Sequence, residues 1–321
     1  LVMGQWVIDE ALAQLSEWNA TGLQIEVSVN VFARQLQEED FVARLQQSLT
    51  RYPDVRPEQF VVEVLETSAL ADIAKVSSII DQCWALGVKF ALDDFGTGYS
   101  SLSYLKGLPA AVLKIDQSFV RDMLDDPEDL AILNGVLGLA NAFGRQPIAE
   151  GVETLRHGEL LLDLGCDLAQ GYGIARPMPA ESLPDWVSTW QIPEAWCDRP
   201  VKTEAQLRLV FCMVEHRAWV AALVGFLETG RGQPVMDTER CAFGDWLTQH
   251  ADHLNLNAEV LHRLGAVHEE IHAVAESLVE TRKATGCSPD PENLEELLAL
   301  RNQLIGCLED AERMSRVEAG A

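Results

Sequence analysis

The first 190 residues alternate between two kinds of hydrophobic pattern. Short, β-branched apolar runs occur at 25–31, 60–65, 88–92, 111–115 and 146–149, with a weaker run at 167–172. Between these runs, apolar residues recur at the helical spacing of three and four over 41–49, 73–86, 130–143 and 158–164. Strands that are apolar almost throughout, alternating with helices, predict an α/β fold with a parallel sheet. Six such units favour a TIM-like β/α barrel.

The second part of the chain has a helical pattern throughout. Helices are predicted at about 202–229, 239–251, 256–284 and 290–316. Four helices with short joints predict an antiparallel four-helix bundle. Residues 191–202 contain Pro193 and Pro200 and show no periodicity, which is typical of a linker. We therefore predict a barrel domain at 1–190, a linker at 191–202 and an all-α domain at 203–316.

Charge and composition restrict the partners and the location. The formal net charge is -26, and such acidity argues against a DNA or RNA duplex as partner, because phosphate backbones are bound by Lys and Arg. The sequence contains no uncharged apolar run of about 18 residues and no basic segment followed by an apolar one at its start. We therefore expect no membrane segment and a soluble, cytoplasmic protein.

Polar side chains stand at the ends of the predicted strands, where β/α barrels build their sites. They are Asn30, Glu63, Glu66, Asp93, Asp94, Lys114, Asp116, Glu150, Glu153 and Gln170. A single acid at a strand end is most often a helix cap, but acids at four strand ends are not explained in that way. Converging carboxylates repel one another unless a cation neutralises them, and oxygen ligands suit Mg²⁺ or Mn²⁺. Two such ions clamp the attacking and leaving oxygens of a phosphodiester, so metal-dependent phosphoester hydrolysis is indicated.

Five ordered motifs narrow this interpretation. Residues 93–102 read DDFGTGYSSL, and LKID at 113–116, AEGVET at 149–154 and AQGY at 169–172 follow. With VSVN at 27–30 and EVLET at 63–67, they resemble the EAL family of cyclic di-GMP phosphodiesterases over about residues 1–190. The resemblance implies hydrolysis of cyclic di-GMP to linear pGpG with two Mg²⁺ or Mn²⁺ ions, in a homodimer.

The resemblance also implies a role for each strand-end residue. The metal ligands would be Asn30, Glu63, Asp93, Asp94 and Glu150. Lys114 would orient the attacking water, Gln170 would lie beside the metals, and Glu153 and Asp116 would support the site, so that the catalytic set is Lys114, Glu150, Gln170 and Glu153. Glu66 would anchor the loop from Asp94 to Ser101, which in the family leads to the dimer interface.

The chain departs from the family pattern at two places. Leu65 stands where many members have Thr, and both flanking glutamates remain. The family's Glu-Ala-Leu strand, which supplies a further ligand, is expected before Leu1, because Glu10-Ala11-Leu12 lies in a helical pattern. We therefore expect the chain as given to lack the opening of the barrel, which could leave it inactive. The alternative is a degenerate or truncated domain that binds cyclic di-GMP as a receptor.

Histidines in the second part indicate a different metal. His268 and His272 are four residues apart, so they share a helix face and can hold one ion. With His216 and Cys241, they resemble the chemoreceptor zinc-binding domain, whose Zn²⁺ is held by three histidines and one cysteine. The resemblance implies a closed tetrahedral site with a structural or sensory role, which would regulate the neighbouring phosphodiesterase. The alternative is a zinc- or redox-sensing dimerisation module.

Overall fold

The computed structural model describes residues 2–69, 73–97, 102–197, 199–236, 241–249, 256 and 258–318. Contacts between residues divide the chain into two units. The barrel unit comprises Leu1–Arg121 and Ala131–Arg199, and the helical unit comprises Asp122–Leu130 and Pro200–Ala321. This division does not test the predicted domain limits. They remain a proposal, with domains at 1–190 and 203–316 and a linker at 191–202.

A six-stranded parallel sheet forms the centre of the barrel unit. Its strands lie in chain order, each bonded to the next: β1 Val27–Asn30, β2 Phe60–Leu65, β3 Lys89–Phe95, β4 Val112–Ile115, β5 Gln146–Glu150 and β6 Ala169–Gln170. The middle strands are buried on both faces, as their nearly continuous apolar sequences predict. Within the described residues β1 and β6 each pair with one neighbour, so the sheet is a half-barrel open between these two strands.

Helices join the strands and cover the sheet. In chain order they are α1 Val2–Ala20, α2 Ala33–Leu36, α3 Phe41–Arg51, α4 Glu66–Ala69, α5 Ile73–Ala85, α6 Leu102–Gly107, α7 Gln117–Asp122, α8 Pro127–Ala142, α9 Leu155–Asp163 and α10 Leu183–Thr189. Their apolar faces are buried, with Leu12, Leu45, Ile80 and Leu133 at most 1% exposed. As expected, Glu10-Ala11-Leu12 lies inside helix α1.

The end of β3 departs from the predicted boundary. The sequence pattern ends this strand at residue 92, whereas the structure continues it through Asp93 and Asp94 to Phe95. The register against β4 shifts between Leu92 and Phe95, and Asp94 has a φ of 55°. A bulge of this kind re-aims side chains, and a non-glycine residue at positive φ is strained. Two successive acids can therefore both serve one site, which regular strand alternation would prevent.

The residues after α10 pack on helix α9. Trp196 donates its indole N–H to the Leu155 carbonyl at 2.9 Å, and its ring lies against Gly158, where a Cβ would meet it at 2.3 Å. Arg199 forms a two-pronged contact with Asp163, with Nη2 2.8 Å from Oδ1 and 2.7 Å from Oδ2. Part of the predicted linker thus belongs to the packed barrel unit.

The second part of the chain is helical, with α11 Glu204–Thr229, α12 Ala242–Gln249, α13 Ala258–Thr285 and α14 Pro291–Glu318. Helix α11 begins with a capping box between Thr203 and Gln206 and ends at Gly230, whose φ of 74° suits glycine. Among the described helices, α11 alone is long and apolar enough to cross a membrane by length and composition, and half of its most apolar stretch is buried inside the structure. Core helices of globular proteins have the same property.

Candidate functional site

Acidic side chains from three strands surround one ammonium group at the C-terminal edge of the sheet. Lys114 Nζ lies 2.9 Å from a carboxylate oxygen of Glu63, 2.8 Å from Asp93 and 2.6 Å from Glu150. Lys114 is on β4, and the acids are on β2, β3 and β5. Parallel strands end at the same edge, so residues far apart in the chain meet there. The Lys114 side chain is 7% exposed, so water screens these contacts little.

The lysine stays charged despite its burial. Desolvation acts to lower the pKa of Lys114, but its hydrogen bonds to Asp93, Glu150 and Glu63 outweigh burial and raise the pKa above its ordinary value. Burial raises the pKa of Glu150 more than pairing with Lys114 lowers it, and the charges of Asp93 and Glu63 add to the increase. One ammonium therefore does not fully compensate the acids around it.

Asp94 completes an oxygen-rich group. Ligand oxygens of Asp93, Asp94 and Glu150 lie within 4.8 Å of one another. Burial raises the pKa of Asp94, and the charges of Asp93 and Asp116 raise it further. With Glu63, these four carboxylates face the single ammonium of Lys114, which leaves a net charge of about −3 when all are ionised. This donor set and its charge fit hard divalent cations such as Mg²⁺ or Mn²⁺.

Amide side chains flank the acidic group. Gln170 donates from Nε2 to Glu150 Oε1 at 2.7 Å. Asn30, the last residue of β1, is exposed and stands opposite Glu63 in the strand register. The structure thus brings Asn30, Glu63, Asp93, Asp94, Lys114, Glu150 and Gln170 to one edge of the sheet.

Three further predicted residues lie around this group. The buried Glu66 accepts the Gly96 N–H at 3.0 Å, and burial raises its pKa. Asp116 accepts the Ser118 N–H at 2.8 Å. It lies close enough to Asp94 to raise the pKa of the Asp94 carboxyl. Glu153 is exposed, three residues beyond the end of β5. The predicted Asp94–Ser101 loop includes residues 98–101, which lie outside the described part of the chain.

Sequence reasoning missed one residue beside this edge, His157. It is buried, and its Nδ1 accepts the backbone N–H of Glu153 at 3.2 Å. Thr154 caps helix α9 by accepting the His157 N–H. A Thr followed three residues later by a side chain that can accept a hydrogen bond was the signal available in the sequence.

The family profile of the EAL domain matches residues 2–177 of this chain. The chain belongs to the EAL domain family. Its EAL domain is 40% identical over 182 residues to the bifunctional diguanylate cyclase/cyclic di-GMP phosphodiesterase MucR of Pseudomonas aeruginosa, a match that covers 56% of this chain and 26% of MucR. It is 36% identical over 184 residues to the cyclic di-GMP phosphodiesterase PdeR of Escherichia coli, which covers 57% and 28% of the two chains.

Solved structures agree with this assignment. The EAL domain is similar to PaMucR phosphodiesterase in complex with c-di-GMP, with 40% identity, a TM-score of 0.54 and coverage of 56% of this chain and 73% of that one. It is also similar to the EAL domain of Mycobacterium smegmatis DcpA, with 38% identity, a TM-score of 0.56 and coverage of 59% and 86%. The names of MucR and PdeR both describe cyclic di-GMP phosphodiesterases. The chain spans about a quarter of the length of these curated relatives.

A second cluster lies in the helical unit, beyond the residues that the EAL family profile matches. His216 on α11, Cys241 before α12, and His268 and His272 on α13 offer ligand atoms that all lie within 4.8 Å of one another. Cys241 Sγ is 3.5 Å from His216 Nε2 and 3.4 Å from His268 Nε2. The sequence predicted these four residues, and the structure brings them together.

The electrostatics of the second cluster favour neutral imidazoles. Burial and the neighbouring histidines lower the pKa of His268 to about 3 and of His272 to about 4, and burial lowers the pKa of His216. Burial also raises the pKa of the Cys241 thiol. Both ring nitrogens of His272 are buried without a hydrogen-bond partner among the described residues. A buried polar atom normally has a partner, so the imidazole of His272 fits the role of a metal ligand. The donor set of three nitrogens and one sulfur fits Zn²⁺.

Proposed function

We propose that this protein hydrolyses cyclic di-GMP to linear pGpG with two divalent cations, Mg²⁺ or Mn²⁺. The observation that carries the proposal is the group of Glu63, Asp93, Asp94 and Glu150 around Lys114 at the strand ends. Relatives named cyclic di-GMP phosphodiesterases support the same substrate. The cations, when bound, supply charge neutralisation at the attacking and leaving oxygens of the phosphodiester.

The residues of the chain have separate roles in this proposal. Asn30, Glu63, Asp93, Asp94 and Glu150 would hold the cations. Lys114 keeps its charge in a poorly screened position, so it can orient water and offset negative charge that develops on the phosphate. Gln170 fixes the Glu150 carboxylate by its hydrogen bond, while Asp116 and Glu153 support the site and Glu66 holds the backbone at Gly96.

Nucleotide chromatography tests this function. Cyclic di-GMP is incubated with Mg²⁺ or Mn²⁺ and either the chain, its Asp94→Asn variant, or the chain preceded by the family's Glu-Ala-Leu segment. We expect the unsubstituted protein to produce pGpG, either in the extended form alone or in both forms. We expect none from the Asp94→Asn variant. Binding of cyclic di-GMP without pGpG in both forms would refute hydrolysis and favour a receptor.

We further propose that residues 203–316 form a four-helix bundle of the chemoreceptor zinc-binding type, with Zn²⁺ held by His216, Cys241, His268 and His272. The support is the proximity of four suitable ligand atoms and the two unpartnered nitrogens of His272. Four protein ligands close a tetrahedral site, so the ion would have a structural or sensory role. Elemental analysis of the purified protein and of Cys241→Ala tests the site.

Regulation of the phosphodiesterase by this domain is part of the proposal, in a soluble, cytoplasmic homodimer. Its motivation is the occurrence of both metal clusters in one chain. We expect zinc or oxidation of Cys241 to change the rate of pGpG formation. Equal rates with zinc, with a zinc chelator and in Cys241→Ala would exclude regulation, and sedimentation analysis reports the dimer.

A further inference from the structure

We propose that His157 is a positioning residue for the proposed phosphodiesterase site, acting through the loop that joins β5 to α9. This inference rests on the proposed function. The loop carries Glu150 at one end and Glu153 at the other. The Glu153 N–H donates to His157 Nδ1 at 3.2 Å, and His157 is 5% exposed. The histidine therefore holds the last residue of the loop before the helix cap.

The contact forms part of a reciprocal arrangement at the start of α9. Thr154 is the helix cap, and its hydroxyl oxygen accepts the His157 N–H at 3.3 Å. In a capping box, the side chain three residues after the cap returns a bond to the cap residue's N–H. His157 occupies that position but bonds one residue earlier, at Glu153. Because Nδ1 accepts, the ring must be neutral with its proton on Nε2.

The middle of the loop is tied to β6 and to the segment after it. The Val152 N–H donates to the Gln170 carbonyl at 3.0 Å, and the Gly173 N–H donates to the Val152 carbonyl at 2.8 Å. Gly173 has no room for a side chain, because a Cβ there would lie 2.8 Å from the Glu153 carbonyl carbon. The loop is thus held between the β6 segment on one side and His157 on the other.

Loss of the His157 contact should therefore displace Glu150. The Glu150 carboxylate pairs with the Lys114 ammonium at 2.6 Å and accepts a hydrogen bond from Gln170 at 2.7 Å. Both distances depend on the position of the C-terminal end of β5. Groups that orient metal ligands without binding the metal typically contribute 10–100-fold to metal affinity or activity. We expect an effect of about tenfold here, because one of the two supports of the loop remains.

Three variants separate positioning from general stability. His157→Leu removes the acceptor and keeps an apolar side chain of similar size. His157→Asn keeps an acceptor in the place of Nδ1, because Oδ1 of Asn and Nδ1 of His are both bonded to Cγ. Trp196→Phe is the matched control, because it removes a different hydrogen bond in the first turn of α9, the one to the Leu155 carbonyl.

Amide hydrogen exchange and Mn²⁺ binding are measured on the substrate-free protein. The kinetics of pGpG formation are measured on the form of the protein, as given or extended, that is active. For His157→Leu we expect the Glu153 amide to exchange its hydrogen about fivefold faster, the factor for one ordinary hydrogen bond. We also expect calorimetry to show about tenfold weaker Mn²⁺ binding, and kcat to fall about tenfold with little change of KM. His157→Asn and Trp196→Phe should stay close to wild type in all three.

The outcomes distinguish this inference from the proposed function. Inactivity of the wild type in both forms would refute the function, while amide exchange and Mn²⁺ binding would still test the positioning role. A His157→Leu variant with wild-type Mn²⁺ affinity and Glu153 exchange would overturn the inference. Equal losses in Trp196→Phe, or a lack of rescue by His157→Asn, would overturn it as well, because either result would show that the acceptor atom is not what matters.

Discussion

Replacing Lys114 by methionine is the most direct test of how the acidic group is held together. The substitution keeps an unbranched side chain as far as Cε and removes the charged Nζ. Glu63, Asp93 and Glu150, whose side chains are 7%, 12% and 13% exposed, would then face one another without their shared ammonium. We expect a loss of folding stability in the absence of divalent cations, together with loss of turnover.

The size of the effect follows from the burial of the group. Removing one partner of a buried ion pair typically costs about 3–5 kcal/mol, because the remaining charge is left unpaired. For a unit of about 190 residues, 1 kcal/mol lowers the melting temperature by about 2–4 °C. The transition of the barrel unit should therefore fall by about 10 °C. Mg²⁺ or Mn²⁺ should raise the melting temperature of the variant more than that of the wild type, because a bound cation replaces the missing charge.

Differential scanning calorimetry of the whole chain measures this effect, read from the transition that divalent cations shift. Lys106→Met is the control, since Lys106 is exposed in the same unit and its replacement should change stability by less than about 0.5 kcal/mol. Melting of Lys114→Met within about 2 °C of the wild type without cations would refute the reasoning, because the acids would then not depend on the ammonium.

Three further predictions concern the two clusters. Gln170→Leu removes the donor to Glu150 and should lower the rate of pGpG formation about tenfold, with an unchanged melting temperature, since Gln170 is exposed. Cys241→Ser and His272→Ala should each weaken zinc binding by more than about tenfold in a competition titration with a chromophoric chelator, whereas the exposed His262→Ala should bind like the wild type. Removing zinc should destabilise the helical unit by about 4 kcal/mol if free zinc had been a thousand times its dissociation constant. Circular dichroism melts with and without chelator test this, and coincident melts would contradict it.

The elements of the barrel unit could be predicted because their physical cause is local. The runs at 60–65 and 111–115 are buried strands in the structure, within one residue of the predicted bounds, because a buried parallel strand is apolar along almost its whole length. The charged exceptions in these two runs are the site residues Glu63 and Lys114. The bulge at Asp94 could not be predicted in this way. It is a local shift of register between β3 and β4, from Leu92 to Phe95, and the hydrophobic pattern of the sequence does not mark where such a bulge is inserted.

The candidate sites differ in the same respect. His268 and His272 are one helical turn apart, so the sequence alone indicates that they can share a ligand. That Lys114 contacts three acids from three other strands follows from the order of the sheet, which residue spacing does not reveal. The contact from His157 to Glu153 is shorter in sequence, but it departs by one residue from the usual capping box, so pattern recognition overlooks it.

The two clusters have opposite donor chemistry, and this bears on how one chain could use two metals. The strand-end group offers carboxylate oxygens around a lysine, a set that favours hard cations. The helical cluster offers three neutral imidazoles and a thiol, a set that favours Zn²⁺ over Mg²⁺ by ligand type rather than by size. Zinc at low concentration would therefore reach the helical cluster before it competed for the acidic group. A regulatory ion and a catalytic ion can act in the same protein only if the sites sort them in this way, and the separation of oxygen from nitrogen and sulfur donors provides the physical basis for it.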